Sequence, residues 1–539
     1  MLYDVKGKIV LEPQRELPVI DEADVVVAGG GAAGFAAAIA SARAGARTLL
    51  VEDRSSLGGV ATAVMMNALV ASHSSQGIAL EIMDRMAAMG GAPKWAPAVR
   101  KNGTTPFDVE CFKEAALAMC IEAGVKIYFY TRACALITVD AGANRGENIG
   151  GVAEEDGNRP VAVGVTGAGA NRPVAVEATG AGGNRPVAAG VVVESKAGRG
   201  AILAKVVIDC TGDADLAAGA GAPVSKGREG DHKMRPFALL FQMGGLDIEK
   251  IVAYTRDHPD QLQPQHTHDT RHRTGGDAAE DGVRGVGGEE VITRISGFYD
   301  LVEQAKATGD LYEGIHYFRL ETLWVGRGTA TCNTTRIYNV DGTDPADLTR
   351  GEIEGRGQIK RLLAFARKYI PCCENAYLIN IAPAMGVRET RRILGEYFMT
   401  TEDAYADKHF DDAIMTLKTG LPPIELIKEL DVHMPEPIEG SDRDLLEKHP
   451  DKMPREPHEY QIPYRALIPR GVGGLLVAGK TISVSHLIDG YTRNMIPCMC
   501  FGQIAGTAAA MCAQGGQKPA ELSCTALKAE LLNQGYDKF

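Results

Sequence analysis

A glycine-rich turn between a buried strand and a small-residue helix constrains this chain more than any other stretch of its sequence. The strand Val25 to Ala28 runs into glycines at positions 29, 31 and 34, and a helix is predicted from Ala32 to Ala44. This is the G-x-G-x-x-G pattern in its strand–turn–helix setting. The pattern predicts that the chain binds an adenine dinucleotide.

Each part of the pattern has a physical role. Gly29 permits the tight turn, Gly31 lets a pyrophosphate approach the backbone, and Gly34 lets the helix and the strand pack closely. The helix N-terminus supplies amide donors and a partial positive charge for phosphates. A second predicted strand, residues 48–51, ends in Glu52, which can accept hydrogen bonds from ribose hydroxyls.

Composition narrows the class of protein further. A chain of 539 residues predicts two to four domains, and its 45% hydrophobic and 23% charged content is ordinary for a globular protein. The net charge of −12 argues against a nucleic-acid surface, which needs a basic face. The start lacks the apolar core of a secretory signal, and glycines and Arg43 interrupt the apolar stretch 25–44. We therefore expect no membrane span and a cytoplasmic location.

The sequence predicts no metal site. Its eleven cysteines include no C-x-x-C pair, and the closest clusters are Cys372–Cys373 and Cys498-x-Cys500. Neither cluster has the spacing of a zinc site or an iron–sulfur cluster, so we interpret the thiols as reduced, small apolar residues. His266, His268 and His272 suggest a metal hypothesis, but they lie in the polar stretch 256–290, which favours a solvated loop.

A low-complexity insertion occupies residues 140–188. The sequence Asn-Arg-Pro-Val-Ala recurs there at positions 158, 171 and 184, a period of 13 residues. The unit has no large apolar residue and cannot bury a core. It falls between Ala135–Val139 and Gly190–Glu194, which are predicted to pair as a hairpin. We interpret it as an expanded hairpin loop, with a small solenoid as the alternative.

Two later segments repeat the pattern of the first, a buried strand that ends in a glycine-containing turn. A buried strand from Ala204 ends in Thr211-Gly212-Asp213, and a second strand covers 474–480. A loop through His486 and Arg493 follows, and then a helix from about Pro497. FAD is long and must be enclosed at both ends, so these extra segments favour a flavin dinucleotide over a nicotinamide one.

The three segments resemble the FAD-contacting segments of the glutathione-reductase-like superfamily of FAD-dependent oxidoreductases. The resemblance extends to the FAD-dependent oxidoreductase family that is distantly related to fumarate reductase flavoproteins. The motifs that carry it are Leu57-Gly-Gly-Val-Ala-Thr62, Ile208-Asp-Cys-Thr-Gly-Asp213, Gly386-Val-Arg-Glu-Thr-Arg-Arg392 with Gly395-Glu-Tyr397, Pro463-Tyr-Arg465, and Leu476-Val-Ala-Gly479 with Gly502-Gln503 and Ala505-Gly506.

The resemblance implies an α/β fold. A Rossmann-like FAD-binding domain, with a parallel sheet and a β-hairpin or meander, would be built from discontinuous segments and carry an inserted α+β substrate domain. The implied segments are 1–139 for the first part of the FAD-binding domain, 140–188 for the repeat insertion, 189–230 for the second part, 231–460 for the substrate or cap domain, and 461–539 for the C-terminal part.

The resemblance also implies FAD as the cofactor and assigns residues to it. These are Gly29, Gly31, Ala33, Gly34, Glu52, Asp53, Arg54, Gly58, Gly59, Thr211, Gly212, Asp213, Gly479, Gly502 and Gln503. The helix over 497–506 would aim its N-terminus at the flavin pyrimidine, where a reduced flavin gathers negative charge. No histidine occurs from Val60 to Leu69, where related flavoproteins attach FAD covalently, so we expect non-covalent FAD.

Three residues are candidates for the chemistry. Arg388 belongs to a run of three arginines within residues 388–392, which is either a clamp for a carboxylate or a structural ion-pair cluster. His486 suits proton transfer near neutral pH, or else a structural or flavin-binding role. Arg493 is expected to face the flavin or the substrate.

The leading functional hypothesis is an FAD-dependent oxidoreductase that transfers hydride between a small organic substrate and flavin N5. One alternative is an electron-relay flavoprotein subunit of an iron–sulfur redox complex, which would bring an electron-acceptor protein or a quinone as a partner. Another is a flavin-bearing tRNA-modifying or scaffold protein, which the acidic charge disfavours.

Overall fold

The structure is a computed structural model, and it describes residues 16–70, 75–92, 104–140, 185–229, 231–261, 290–419 and 458–539, with short strands at 4–6, 9–11, 164–165 and 283–284. Most of the repeat insertion and of the polar stretch 256–290, including His266, His268 and His272, lies outside the described residues.

Strands and helices alternate in the first part of the chain, and strands dominate its middle. The strands are β1 Asp4–Lys6, β2 Ile9–Leu11, β3 Val19–Ala28, β4 Thr48–Val51, β5 Ala68–Val70, β6 Thr104–Pro106, β7 Lys126–Tyr128, β8 Arg132–Val139, β9 Gly164–Val165, β10 Val187–Ser195, β11 Gly198–Asp209, β12 Val224–Lys226, β13 Phe241–Gly244, β14 Val283–Arg284, β15 Glu290–Gly297, β16 Phe318–Trp324, β17 Thr329–Cys332, β18 Tyr377–Ile381, β19 Arg391–Ile393, β20 Ala413–Thr419, β21 His458–Pro463 and β22 Leu475–Val477. The helices are α1 Ala32–Arg43, α2 Gly77–Ala88, α3 Val109–Glu122, α4 Asp215–Gly219, α5 Ile248–Asp257, α6 Tyr299–Ala307, α7 Pro345–Tyr369, α8 Thr401–Tyr405, α9 His486–Thr492, α10 Met495–Gly515 and α11 Cys524–Asn533.

The first sheet combines five parallel strands with an antiparallel hairpin. Its order is β7-β4-β3-β11-β10-β8-β9, and β22 pairs in parallel with the end of β11. The strands β3, β4, β7, β11 and β22 are mutually parallel, so their carboxyl ends meet at one edge. The predicted pairing of Ala135–Val139 with Gly190–Glu194 is confirmed, because β8 and β10 are antiparallel neighbours.

Helices α1 and α10 cross against this sheet with almost no side chain between them. A Cβ atom on Gly502 would lie 2.1 Å from the carbonyl oxygen of Ala33, and one on Gly506 would lie 2.1 Å from that of Ala37. These distances are far below van der Waals contact, so only glycine allows the two backbones to approach this closely. The chain's last long helix thereby completes the fold that its first helix begins.

The second sheet is antiparallel and comes from the middle of the chain. Its order is β14-β15-β16-β17-β13-β18. One face packs on α7 through an apolar core that includes Phe318, Phe365 and Leu362, with the rings of Phe318 and Phe365 edge to face at 5.4 Å. The other face carries polar side chains, and it is described with the site below.

The fold is therefore α/β, as expected, with a parallel-strand sheet of the dinucleotide-binding type and a separate antiparallel sheet supplied by the middle of the chain. Two of the proposed segment boundaries fall inside strands, since β10 begins at Val187 and β21 runs from His458 to Pro463. The division into five segments stays a prediction.

Two local expectations need correction. The stretch around His486 was expected to be a loop, but residues 486–492 form α9, which follows Ser485 in an extended N-cap conformation. The next helix was expected from about Pro497, and it begins two residues earlier, at Met495. This helix, α10, is long and apolar enough to cross a membrane by length and composition, and it lies almost entirely buried inside the protein.

Candidate functional site

Four loops meet at the carboxyl edge of the first sheet. They follow β3, β4, β11 and β22, the parallel strands at its centre. In open α/β sheets, ligands bind at this edge. The predicted cofactor residues between positions 29 and 479 therefore gather at one place, although 450 positions separate the first from the last.

The turn after β3 requires glycine at two of its positions. Gly29 has a φ angle of +95°, and a Cβ atom there would lie 2.4 Å from the carbonyl oxygen of Cys210 on the neighbouring strand. A Cβ atom on Gly34 would lie 1.7 Å from the carbonyl oxygen of Gly29. The close packing of helix on strand that the sequence predicted is confirmed by these approaches.

The N-terminus of α1 has the geometry of an anion site. Its N-cap, Gly31, supplies no side chain to the first backbone N–H groups, and a Cβ atom on Gly31 would meet no protein atom within 4 Å. Gly59 closes the turn from one side, since a Cβ atom there would lie 2.9 Å from the Cα of Gly31. The amide of Gly58 donates to the carbonyl of Gly30 at 2.8 Å. Helix dipole, amides and space together fit the pyrophosphate of a dinucleotide.

Glu52 lies at the end of β4 and ties the two glycine loops together. Its Oε2 accepts from the amide of Gly30 at 2.6 Å, and its Oε1 accepts from the amide of Arg54 at 2.9 Å. Burial and a hydrogen bond with Asp53 raise the pKa of Glu52 to about 7, although the Gly30 and Arg54 amides act in the opposite direction. Each oxygen keeps a second lone pair that can accept from a ribose hydroxyl.

Asp53 and Arg54 lie at the rim of this edge. Their side chains are about half exposed and approach each other at 3.8 Å. The backbone carbonyl of Arg54 accepts from the amide of Tyr130 at 3.3 Å. Their assignment to the adenine side of the cofactor stays a prediction.

The Thr211–Asp213 turn is held by side chains from three segments. The Thr211 hydroxyl donates to the buried Asp209 at 2.7 Å, and Gly212 takes a φ angle of +88°. The Asp213 carboxylate accepts from Lys480 Nζ at 2.9 Å and from the Thr390 hydroxyl at 2.5 Å. Asp213 thus links the end of β11 to the loop after β22 and to the segment 386–392.

The remaining cofactor candidates pack against α1 and α2. Gly479 has a φ angle of +107°, and a Cβ atom there would lie 3.3 Å from that of Ala33. Gly502 contacts the backbone of Ala33 in the helix crossing. Gln503 Oε1 accepts from the amide of Ile78 at 2.9 Å. The structure gives Gly502 and Gln503 packing roles, and their contact with the cofactor stays a prediction.

His486 lies in a buried cluster of charged groups. Its Nδ1 is 2.9 Å from Glu389 Oε1, and Glu389 also forms a very short ion pair with the fully buried Arg392. Arg235 donates to the carbonyl oxygen of His486 at 2.8 Å. Asp489, one helical turn further along α9, lies 3.8 Å from Arg235 Nε.

Burial and neighbouring charges shift the pKa values of Glu389 and His486 in this cluster. Burial alone would raise the pKa of Glu389, but the hydrogen bond from His486 and the charges of Arg392 and Arg235 lower it. Burial and the charge of Arg235 lower the pKa of His486. Glu389 is therefore ionised and His486 is neutral near pH 7, with Nδ1–H donating to the carboxylate.

From the sequence, the three arginines of the segment 386–392 were interpreted either as a clamp for a carboxylate or as a structural ion-pair cluster. Arg391 contacts Asp215 at 2.8 Å, and Arg392 donates to the carbonyl oxygens of Val484 and Gly227, so both belong to structural ion-pair and backbone contacts. Arg388 is partly buried, and its charge lowers the pKa of Tyr317, which directly precedes β16. The assignment of Arg388 as a ligand stays a prediction.

Tyr317 was not singled out from the sequence. It is buried between the guanidinium groups of Arg319 and Arg336, which lie 4.8 Å and 5.4 Å from its ring centroid, and Arg336 Nη2 donates to its hydroxyl at 2.5 Å. Burial would raise the pKa of Tyr317, but the charges of Arg319, Arg336 and Arg388 lower it below its ordinary value.

Arg493 follows α9 directly and belongs to the His486 side. Burial and the charge of Glu389 raise the pKa of Asp489 to about 6, and the charge of Arg493 is among those that oppose this shift. The backbone carbonyl of Arg493 accepts from Cys498 Sγ at 3.3 Å. Burial raises the pKa of Cys498 and of Cys500 to about 12, so both thiols are packing residues rather than activated nucleophiles.

A second set of residues escaped the sequence analysis because it assembles only in the sheet. We call it the polar face: Arg294 and Ser296 on β15, Arg319 and Glu321 on β16, Thr331 on β17, and Asn333 just after it. Residues directly opposite each other in antiparallel strands share a face, and the register pairs Arg294 with Glu321, Ser296 with Arg319, and Glu321 with Thr331.

The polar face is buried where it meets the loop that follows Gly59. The hydroxyl of Thr322 donates to the carbonyl of Asn67 at 2.8 Å, and Asn333 Nδ2 lies 3.7 Å from Met66 Sδ. Glu321 and Thr331 are 0% and 1% exposed, so this face is closed to solvent. A loop of the dinucleotide site and the polar face of the second sheet are thus in direct contact.

Several buried polar atoms in this region have no hydrogen-bond partner among the described residues. They are Glu321 Oε1, Thr331 Oγ1, Asn333 Oδ1 and, across from them, Asn67 Oδ1. Such atoms are rare in folded proteins, because each costs about 1–3 kcal/mol when it is left unsatisfied. No group of His, Cys, Asp and Glu within the described ranges could hold a metal ion.

A glycine cradle before an uncapped helix N-terminus, with a buried acid at the end of the next strand, defines a dinucleotide-binding protein. The sequence model of the family described as FAD dependent oxidoreductase matches residues 24–531, and the chain belongs to this family. The enzyme is therefore an FAD-dependent oxidoreductase, and FAD is the cofactor that the cradle fits.

Comparison with curated protein sequences gives no match. Among solved structures, a geranylgeranyl bacteriochlorophyll reductase-like protein from Thermoplasma acidophilum is 12% identical, over 96% of this chain and 84% of that one, with a TM-score of 0.41. The p-nitrophenol 4-monooxygenase from Pseudomonas putida is 8% identical, over 96% and 85%, at 0.42. Glycine oxidase from Geobacillus kaustophilus is 11% identical, over 96% and 99%, at 0.35. Likenesses this remote do not extend to substrate or mechanism.

Proposed function

We propose that this enzyme transfers hydride between a small organic substrate and FAD, with the substrate lying between the loop 59–67 and the polar face of the second sheet. The observation that carries the proposal is the set of buried, unpartnered polar atoms at that junction, on Asn67, Glu321, Thr331 and Asn333. A polar ligand bound at this junction would give these atoms the hydrogen-bond partners that the described residues do not supply.

When bound, FAD supplies the hydride acceptor or donor at its flavin ring. The chain's own residues then manage binding and protons. Arg388 and Tyr317 sit at one end of the proposed substrate region. His486, held in one tautomer by Glu389, is neutral and can take up a proton at its other ring nitrogen.

The test is anaerobic reduction of the FAD-loaded enzyme. Bleaching of the flavin absorbance by one compound in a panel of hydroxy acids, sugars, amines and steroids, or reoxidation of the reduced enzyme by an enoate or a quinone, is the expected result. An enzyme that exchanges electrons only with a protein partner would contradict the proposal and favour the electron relay.

The role of His486 is tested separately. His486→Gln should retain FAD and lower the rate of flavin reduction by about 10²–10⁴, because general acid–base groups contribute that much. The control is His258→Gln, which replaces an exposed histidine that packs on Tyr254. Equal rates in the two variants would remove His486 from the chemistry.

Three further points belong to the proposal. The Gly386–Arg392 segment supports the finer relationship to glutathione-reductase-like flavoproteins and, distantly, to fumarate reductase flavoproteins. The absence of histidine between Val60 and Leu69 supports non-covalent FAD. A cytoplasmic location, and an electron-acceptor protein or quinone as a second partner, complete it.

A further inference from the structure

We infer that the substrate is a polyhydroxylated molecule of the sugar or cyclitol kind, which the polar face recognises through its hydroxyl groups. The inference rests on the proposed function, because it names the class of molecule that fills the same region. It starts from the hydrogen-bonding capacity that the protein leaves unused there.

The unused atoms need partners that donate. Glu321 forms an ion pair with Arg294, whose Nε donates to Glu321 Oε2 at 2.7 Å, and the other carboxylate oxygen, Oε1, can only accept. The amides of Asn67 and Asn333 present a carbonyl oxygen in their present orientation. The Thr331 hydroxyl can donate or accept. A hydroxyl group also does both, so it satisfies an amide in either orientation.

Other ligand classes fit this set less well. An apolar substrate would leave all four atoms unsatisfied, at a cost of about 1–3 kcal/mol each. An ammonium group would lie beside the guanidinium groups of Arg294 and Arg319. A carboxylate could pair with these guanidinium groups, but it has no donor for the oxygens of Glu321, Asn67 and Asn333 and would leave them unsatisfied.

The spacing of the atoms calls for several hydroxyl groups on one molecule. Glu321 and Thr331 are directly opposite each other on neighbouring strands, and Asn333 lies two residues along the same face. Opposite residues stand about 5 Å apart and next-but-one residues about 7 Å. A ring or chain with adjacent hydroxyls spans these distances, whereas a molecule with one hydroxyl satisfies only one of the sites.

The test uses the full-length, FAD-loaded enzyme with five probes: D-glucose, myo-inositol, L-lactate, benzylamine and testosterone. Two readouts are taken, the anaerobic bleaching of the flavin and the shift of the thermal midpoint on adding each probe. The expected result is that glucose or inositol raises the midpoint and bleaches the flavin more than the other probes do.

Two variants on one strand make the test specific. Thr331→Val removes an unpartnered hydroxyl at nearly constant volume and should raise KM for the preferred polyol about tenfold, with a smaller change in kcat. Thr329→Val makes the same substitution two residues away, opposite Trp324, and should leave KM within about twofold. Asn333→Leu is a second reporter and should also raise KM.

The outcomes separate the two proposals. Bleaching by testosterone, benzylamine or L-lactate alone would overturn the substrate class and leave hydride transfer in place. Bleaching by no small molecule, with reduction only by a protein partner, would overturn both. Equal KM values for Thr331→Val and Thr329→Val would also overturn the substrate class.

Discussion

The first sheet holds the dinucleotide site and the second the proposed substrate site, and the two sheets build these sites in opposite ways. The first sheet forms its site at its carboxyl edge and mainly from backbone groups, since the loops of Gly29, Gly31 and Gly59 provide amides and space for the cofactor. The second sheet instead presents one face of side chains, and neighbouring strands among β15, β16 and β17 contribute these side chains in cross-strand pairs. The polar side chains of Glu52, Thr211 and Asp213 at the first sheet have hydrogen-bond partners, whereas several on the second sheet have none among the described residues.

The difference explains why one half of the site can be read from sequence. A backbone site requires glycine at fixed offsets within one turn, and this local pattern survives in a linear sequence. A side-chain site on a sheet draws residues from strands that lie far apart in the chain. Four predictions test this contrast, from the largest expected effect to the smallest.

The first prediction concerns the closest backbone approach in the cradle. Gly34→Ala should destabilise the protein by about 3 kcal/mol or more, because the new methyl group overlaps the Gly29 carbonyl. Urea unfolding measures the change. Gly357→Ala is the matched control, because it lies on an exposed side of α7 with open space around it, and it should stabilise by about 0.5–1 kcal/mol. Similar values for the two variants would show that the approach at Gly34 is not required.

The second prediction separates cofactor binding from folding. Gly31→Val should weaken FAD binding about a hundredfold and leave the thermal midpoint of the FAD-free protein unchanged, because a Cβ atom there meets no protein atom within 4 Å and the larger side chain fills the space before α1. Flavin content after purification and a titration with FAD measure the binding. Full retention of FAD would place the pyrophosphate elsewhere.

The third prediction concerns pH. The pKa of Glu52 is about 7 in the folded protein and 4.5 in its ordinary state, so between these values the folded state holds a proton that the unfolded state has lost. The stability contributed by Glu52 is therefore present below about pH 4.5 and is lost as the pH rises through about 7.

We expect the FAD-free protein to lose about 2 kcal/mol across this window from Glu52, and Glu52→Gln to remove that part of the pH dependence. Urea unfolding between about pH 4.5 and 7 measures it. Glu81→Gln serves as the control, because hydrogen bonds from Arg43 lower the pKa of Glu81 and the sign of its contribution is reversed. Parallel pH profiles for wild type and Glu52→Gln would contradict the assignment.

The fourth prediction compares one substitution in the two sheets. Thr48→Val on β4 should destabilise by about 1 kcal/mol, because the Thr48 hydroxyl donates to Ser41 at 2.9 Å. Thr331→Val on β17 should be neutral or stabilising by up to about 1 kcal/mol in the absence of substrate, because its buried hydroxyl has no partner. If Thr331→Val also destabilised the protein, the Thr331 hydroxyl would have a hydrogen-bond partner within the protein, which would contradict the prediction.

Much of the first sheet was predictable and little of the second. The helix after Gly31, the strand ending in Glu52 and the hairpin around the repeat all follow local patterns, and the structure confirms them. Helix α9 was taken for a loop because it is only seven residues long, although Ser485 at its N-cap was an available signal.

The polar face left only a weak signal in the sequence. Residues such as Arg294 and Ser296, or Arg319 and Glu321, alternate with apolar neighbours, and this is the pattern of a strand with one solvated side. Alternation does not distinguish a face that meets water from one that meets another part of the chain. The contact of Asn67 with Thr322, 255 positions away, decides between them, and no local pattern encodes it.

The crossing of α1 and α10 has a consequence for the order in which the protein can fold during its synthesis. The β22 strand and α10 emerge from the ribosome long after β3 and α1, and the contacts of Gly502 with Ala33 and of Gly506 with Ala37 form only once α10 has been made. The second sheet, whose strands lie between residues 241 and 381, is complete well before that. In the nascent chain the strands of the second sheet are therefore all present before the last helix of the dinucleotide site, and a chain that stops before about residue 475 lacks the strand that borders β11.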